Sequence, residues 1–408
     1  MKLKKLLKDT ITIVSITLLF LVLIEISLRL IFPDKRDKRE PETYAIEKKI
    51  LYKEHPFYLY SLKPNIKGTF VRSFQNGGDT ITWKTNSDGF RGKELRKNPR
   101  KRIMVYGDSN IQAEFSKEEN TFVSKLEENL MYYYKKDIEV VNAGVIGYGP
   151  DQVLLRMKEE APLYNPDMII FHVFADNDFG DVLRNNILRL DVRGKLTLQN
   201  NFEKDFLTIR KKSVFQELLL YRAAKKISRF LYDKDNEDLD NLIVSSYIKR
   251  CNQEYSSYIA NISNMNLFED HYDITTAITP NSESSRLKKK LIELILLDAI
   301  NYTKSRNIRL IVLIQPSVID VCKNYSNVNY EILRQKFPEY NQSNLSTIVE
   351  NICNKNNIIN INLYKPFIEN SPENLYFVGE DDHWNDLGQK LASEITANYI
   401  INNQLLNE

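Results

Sequence analysis

From residue 102 onward, short all-apolar runs alternate with longer stretches in which apolar side chains recur every three or four positions. IMVY (103–106) ends in Gly107, a helical pattern covers 122–134, and IEVVNAG (138–144) follows. A second helical pattern covers 152–161 before MIIFHVF (168–174). Strands without polar alternation need cover on both faces, so the pattern predicts an α/β core built on a parallel sheet. The rhythm returns with a helix over 284–304, whose Leu287, Leu291, Leu294 and Ile295 share one side, then IRLIVLI (308–314) and a strand over 358–363. Asn385 is placed to cap a last helix carrying Leu387, Leu391 and Ile395 every four residues.

Between 179 and 279 the alternation stops. Helical candidates such as 214–231 appear and no strong strand does, so the region from about 180 to 300 reads as a helical insertion or lid. The acidic run DKDNEDLDN from Asp233 has Asp238 where a calcium loop needs Gly and Val244 where it needs Glu, and it reads as a solvated loop. Ahead of the core, Pro56, Pro64 and Gly77-Gly78 punctuate runs such as TITWKTN (80–86), which predicts short strands and turns in an apron packed on the main domain.

The first segment changes the location. Lys2, Lys4, Lys5 and Lys8 precede the apolar stretch 10–32, interrupted only by hydroxyls, Glu25 and Arg29. About twenty such residues, at roughly 1.5 Å rise each, cross a hydrocarbon core about 30 Å thick. Glu25 and Arg29 stand one helical turn apart and can pair near the interface. A cleaved signal peptide would start the same way, but the exit EISLRLIFPDKR offers no small-residue cleavage step, so one uncleaved transmembrane helix is expected. Basic residues on the two flanks nearly tie; the commoner arrangement, with the short N-terminus inside and the large domain extracytoplasmic, is adopted. The expected organisation is a stub and anchor (1–32), an apron (33–98) and a main domain with its insertion (99–408).

A net charge of +3 in 408 residues leaves no global basic field to neutralise phosphates, which argues against nucleic acid as a partner. Cys251, Cys322 and Cys353 lack metal or redox spacing and read as ordinary thiols.

In an open parallel sheet, ligands bind beyond the carboxyl ends of the strands. Four such places carry chemistry. Gly107-Asp108-Ser109 follows the first strand; a serine at a helix start is often only a cap, yet its own N–H faces any anion bound there. The glycine-rich NAGVIGYG (142–149) can present backbone donors or simply make a turn, and it lacks the lysine of a phosphate loop. Asn177 in ADND (175–178) can donate its amide to an oxyanion, although such residues also form ordinary turns. In EDDHWND (380–386), a carboxylate near His383 can orient its ring as a general base for serine requires. His55, His172 and His271 lack that setting, and His172, inside a strand pattern, is expected to be packed.

Together, in this order, the four places resemble the four blocks of the SGNH (GDSL-like) hydrolase superfamily, and TNSDGFRGKE (85–94) resembles the lead-in of its membrane-anchored bacterial members. The resemblance covers roughly 83–190 and 305–400. It implies a flavodoxin-like three-layer sandwich with Ser109 as nucleophile, His383 as base and Asp381 as orienting acid. The oxyanion hole would comprise the Ser109 and Gly147 N–H groups and the Asn177 side chain, with no metal or cofactor. Ala175 stands where the family usually has Gly, and the commoner D-x-x-H spacing would give Glu380 the acid role, with Asp382 also adjacent. The implied activity is that of a membrane-anchored esterase acting on acyl groups, acetyl first, of acylated carbohydrate such as cell-surface polysaccharide, or on another ester. An O-acyltransferase with the same triad, working with unidentified polysaccharide-biosynthesis partners, and a non-catalytic polysaccharide-binding member are the alternatives.

Overall fold

The computed structural model describes residues 12–13, 16–17, 19–27, 51–199, 236–260, 271–322, 330–378 and 382–406. The chain forms two compact units, one of residues 47–208 and 240–408, the other of residues 1–46 and 209–239.

Strands β1 (Tyr52–His55) and β2 (Leu59–Leu62) pair antiparallel, as do β3 (Lys67–Val71) and β4 (Thr80–Lys84), so the predicted apron is two hairpins. The main sheet contains β5 (Lys101–Gly107), β6 (Ile138–Gly144), β7 (Met168–Ala175), β10 (Arg309–Pro316) and β11 (Ile359–Asn362), all parallel. Its order is β11-β10-β7-β5-β6. Counted along the sheet's own strands this is the flavodoxin-like 2-1-3-4-5, whose direction of growth reverses between β5 and β7. β6 and β7 are buried along their whole length, which is why their sequences show no polar alternation.

Because β6 and β7 lie on opposite sides of β5, right-handed crossovers put the connecting helices on opposite faces of the sheet. Helix Phe122–Tyr134 packs with helix Asp386–Asn402, and helix Pro150–Tyr164 packs with Glu283–Lys304, which also meets Asn344–Lys355. The last helix departs from expectation. Leu387 is 57% exposed, and the buried face is Gly388, Gln389, Ala392, Ser393, Thr396, Ala397 and Ile400. Small residues let this helix approach closely: a Cβ on Gly388 would stand 2.2 Å from the Leu375 carbonyl oxygen.

The 179–279 region also departs from expectation. It contains a short antiparallel hairpin, β8 (Leu188–Leu190) and β9 (Leu196–Leu198), because the turn DVRGK is closed by Asp191 accepting from Arg193 and Lys195 N–H. The second half of the acidic run is not a loop but the start of helix Asn236–Ile259, and the helix expected over 214–231 lies outside the described residues. All three cysteines are buried free thiols. Of the apolar stretch 10–32, the described residues are helical, and Ile13, Ile16, Leu19, Phe20 and Ile26 are exposed. No helix among the described residues is long and apolar enough to cross a membrane, and the rest of that stretch lies outside them.

Candidate active site

Three of the four predicted places meet at the carboxyl ends of three neighbouring strands. Gly107 and Gly144 are register partners at the ends of β5 and β6, and β7 runs beside β5. Ser109, Gly147 and Asn177 therefore follow adjacent strands around the point where the sheet order reverses. Gly107 lets the chain turn tightly there: a Cβ on it would come within 2.5 Å of Ile111 and 2.8 Å of His172. Ser109 opens the single-turn helix Ser109–Gln112, capped by the Asp108 carboxylate, which accepts from Asn110 N–H at 2.9 Å. Asn142 anchors that turn from β6 by donating to the Ile111 carbonyl at 2.8 Å, and Gln112 accepts from Ile146 N–H at 2.7 Å.

Ser109 is 3% exposed. Its Oγ makes no hydrogen bond to any described residue, His383 included. Among the described residues the backbone N–H groups of Ser109 and Gly147 are likewise unengaged. Gly147 has φ +73°, a value that glycine adopts without strain, and its carbonyl accepts from Arg184 at 3.0 Å. Asn177 is buried at the N-terminus of helix Asp178–Asn185, and its carbonyl accepts from Gly180 and Asp181 N–H.

The fourth place arrives from the far end of the chain. His383 lies in a loop closed by a bridge between Tyr376 and Trp384, with Phe377 N–H donating to the His383 carbonyl at 3.1 Å. Trp384 N–H donates to Asn110 Oδ1 at 3.1 Å, and Gln389 Nε2 to the Asn110 carbonyl at 3.1 Å. The residue after the serine is thus bonded to the residue after the histidine. Phe115, six residues past Ser109, sets its ring 4.7 Å from the His383 ring, edge to face. His383 Nδ1 stands 3.0 Å from an Asp382 carboxylate oxygen. Asp381, the acid favoured by the motif, and Glu380 lie outside the described residues.

Buried acids surround the serine turn. Burial, then the charges of Asp108 and Asp181, push the Asp178 carboxyl well above its ordinary range. Asp178 also accepts from Phe174 N–H at 2.7 Å. Arg184 compensates Asp181 at 2.8 Å. His172 is packed as expected: burial lowers its pKa to about 4, and its ring shares a hydrogen bond with Gln315 at 2.9 Å. His271 is more engaged than its sequence setting suggested. Burial alone would lower its pKa, but the close Cys251 thiol and the Glu254 carboxylate 3.1 Å away outweigh burial and raise it to about 10.

Several supports were invisible in the sequence. Arg91 is buried and donates to the carbonyls of Gln112 and, at 2.6 Å, of Ser116, so the lead-in segment braces the serine helix from below. Its signal was the DGFRGKE string, read there only as a family mark. Arg72, Asn76 and Gln389 carried no signal, because nothing local announces a partner some 270 to 310 positions away.

No family model matches the sequence, and no curated protein matches it. Among solved structures, the chain is similar to an acetyl xylan esterase, AlAXEase, at 14% identity with a TM-score of 0.37, over 73% of this chain and 99% of the other. It is similar to a lipase/acylhydrolase from Enterococcus faecalis at 12% identity and a TM-score of 0.35, over 74% and 96% of the two chains. A catalytic mutant of an acetylxylan esterase from Geobacillus stearothermophilus is similar at 13% identity and a TM-score of 0.37, over 75% and 96%.

Proposed function

We propose that this chain cleaves ester bonds through Ser109 and His383. The observation that carries the reading is the hydrogen bond from Trp384 N–H to Asn110 Oδ1 at 3.1 Å, which ties a carboxylate-oriented histidine to the residue beside a buried serine. With Nδ1 turned toward Asp382, Nε2 is the atom that takes the Ser109 hydroxyl proton as Oγ bonds to the ester carbonyl carbon. The carbonyl electron pair moves onto oxygen, which the N–H groups of Ser109 and Gly147 and the Asn177 amide receive. One such donor is typically worth about 10²–10³ in rate. Collapse breaks the bond to the alcohol, which leaves with the proton from His383; water then repeats the cycle and frees the acid. Apo geometry at such sites commonly tightens only when substrate is bound.

Asp382, rather than Asp381, is the orienting acid in this proposal. The substrate we propose is an acyl ester, acetyl first, on cell-surface carbohydrate, with the enzyme tethered by its N-terminal apolar helix. Support for the tether is the row of exposed Ile, Leu and Phe side chains at 13–26. Support for the carbohydrate is the resemblance of the sequence blocks to anchored bacterial hydrolases.

The test is fluorophosphonate labelling of the full chain in detergent beside Ser109→Ala, with release of p-nitrophenol from its acetate ester. Labelling and turnover that vanish together in Ser109→Ala are expected. Folded wild-type protein that neither labels nor turns over would remove the esterase reading.

A further inference from the structure

The apron does more than cover the sheet. Arg72, just past β3, sends Nε to the Phe115 carbonyl at 2.7 Å and Nη2 to Asp386 at 2.6 Å, with its guanidinium 5.1 Å from the centroid of the Phe377 ring. Asp386 also accepts from Ser116 Oγ at 2.8 Å and Asn120 Nδ2 at 3.0 Å, so this one carboxylate gathers three donors from two segments. Four residues on, Asn76 makes a two-way amide pair with Val378: Val378 N–H donates to Asn76 Oδ1 at 2.8 Å, and Asn76 Nδ2 donates to the Val378 carbonyl at 3.1 Å. Phe115 packs edge to face against His383, Phe377 and Phe70.

The base loop therefore has an outer brace. Inside, Asn110 holds Trp384; outside, the turn between β3 and β4 holds Val378 at the loop's entry and Asp386 at its exit. We infer that Arg72 and Asn76 are positioning residues for His383: the hairpin turn fixes both ends of the loop that carries the base, and Arg72 also fixes the Phe115 ring on which the imidazole rests. This rests on the reading of His383 as the base. Its structural half, control of the loop, can be tested separately.

The experiment uses full-length Arg72→Ala, Asn76→Ala and Arg72→Lys in two measurements. Hydrogen exchange of the 376–384 peptide needs no activity. It should quicken in both alanine variants, with the main-sheet peptides unchanged, and Arg72→Lys should recover part of the protection through Asp386. In the fluorophosphonate reaction, the final stoichiometry should match wild type while the labelling rate falls roughly 10- to 100-fold, the penalty expected for a displaced catalytic group. A merely destabilised protein would show the opposite, lower stoichiometry at an unchanged rate. Asn76 lies on an exposed turn, so its variant separates positioning from unfolding should Arg72→Ala fold poorly. Unchanged exchange at 376–384 in folded Asn76→Ala and Arg72→Ala would overturn the inference. Faster exchange there, with a wild type that never labels, would uphold the brace and instead sink the esterase reading.

Discussion

Asn110→Ala isolates the contact on which the proposed site depends. The substitution removes the acceptor of Trp384 N–H and leaves that donor inside a residue only 1% exposed. An unsatisfied buried donor costs about 1–3 kcal/mol. Two features pull the figure toward the lower half. Asn110 Nδ2 is itself buried without a partner, so its removal relieves one unmet donor, and the bond from the Gln389 side-chain amide to the Asn110 carbonyl survives. A loss of about 1–2 kcal/mol follows, or a melting point lower by roughly 2–4 °C per kcal/mol. The rate should suffer more than the fold: with its inner tether gone the His383 loop can drift, and a displacement of about 1 Å costs on the order of 10²-fold. Thermal melts followed beside p-nitrophenyl acetate hydrolysis and fluorophosphonate labelling give both numbers on one sample. A variant that melts lower yet labels within about twofold of wild type would refute the claim that this hydrogen bond aligns serine and base.

The pH dependence of stability should carry a His172 component. Its folded pKa of about 4 lies below the unfolded value of 6.5, so the unfolded chain binds the extra proton and stability falls as pH drops from 6.5 toward 4. The full effect is roughly 3 kcal/mol. Urea unfolding of His172→Gln against wild type should show a shallower fall in that window, and parallel curves would contradict the assignment. Asp178→Asn mimics the protonated acid and keeps an acceptor for Phe174 N–H, so it should be at least as stable as wild type at pH 7 and gain on it as pH rises, with esterase activity retained. A less stable variant would mean that the buried acid is ionised. Lys288→Ala should cost about 3–5 kcal/mol by leaving Asp273 charged and unpaired in a fully buried site, where the two now meet at 2.6 Å; denaturation showing a loss under about 1 kcal/mol would place that pair in water.

The main sheet was legible because most of its strands are short runs with an apolar centre, two of them ending in glycine, and β6 and the helix Phe122–Tyr134 fall where the pattern put them. The last helix was legible in part: it starts at its expected cap, Asn385, with Leu391 and Ile395 packed on the core, but the rest of its buried face was not foreseen. Leu387 faces solvent while Gly388 and Ala392 face the core, because close approach of the backbone favours small side chains there. The hairpin β8–β9 escaped because three-residue strands give no period to read. At the proposed site, residue types and order pointed to Ser109, Gly147, Asn177 and His383, and to Asp381, which lies outside the described residues. Of the groups that hold them, Arg72, Asn110 and Gln389 act through hydrogen bonds to residues remote in sequence, and bonds of that kind leave no local pattern.

The buried acids beneath the serine turn set a condition on the chemistry. The oxyanion proposed at Ser109 needs positive potential, yet Asp108 caps the serine helix and the charges of Asp108, Asp181 and Asp151 all bear on Asp178. Four ionised carboxylates would oppose the developing charge. The structure answers in two ways: burial and its neighbours push the Asp178 carboxyl up and disfavour its charge, and Asp181 is matched by Arg184. Arg184 spans both needs, since the guanidinium that compensates Asp181 also holds the carbonyl of Gly147, whose N–H faces the proposed oxyanion. Charge balance and loop geometry thus depend on one side chain. Replacing Arg184 with a neutral residue would expose a buried carboxylate and loosen an oxyanion donor together, so losses of stability and rate at this position should not separate as they do at Asn110 or Arg72.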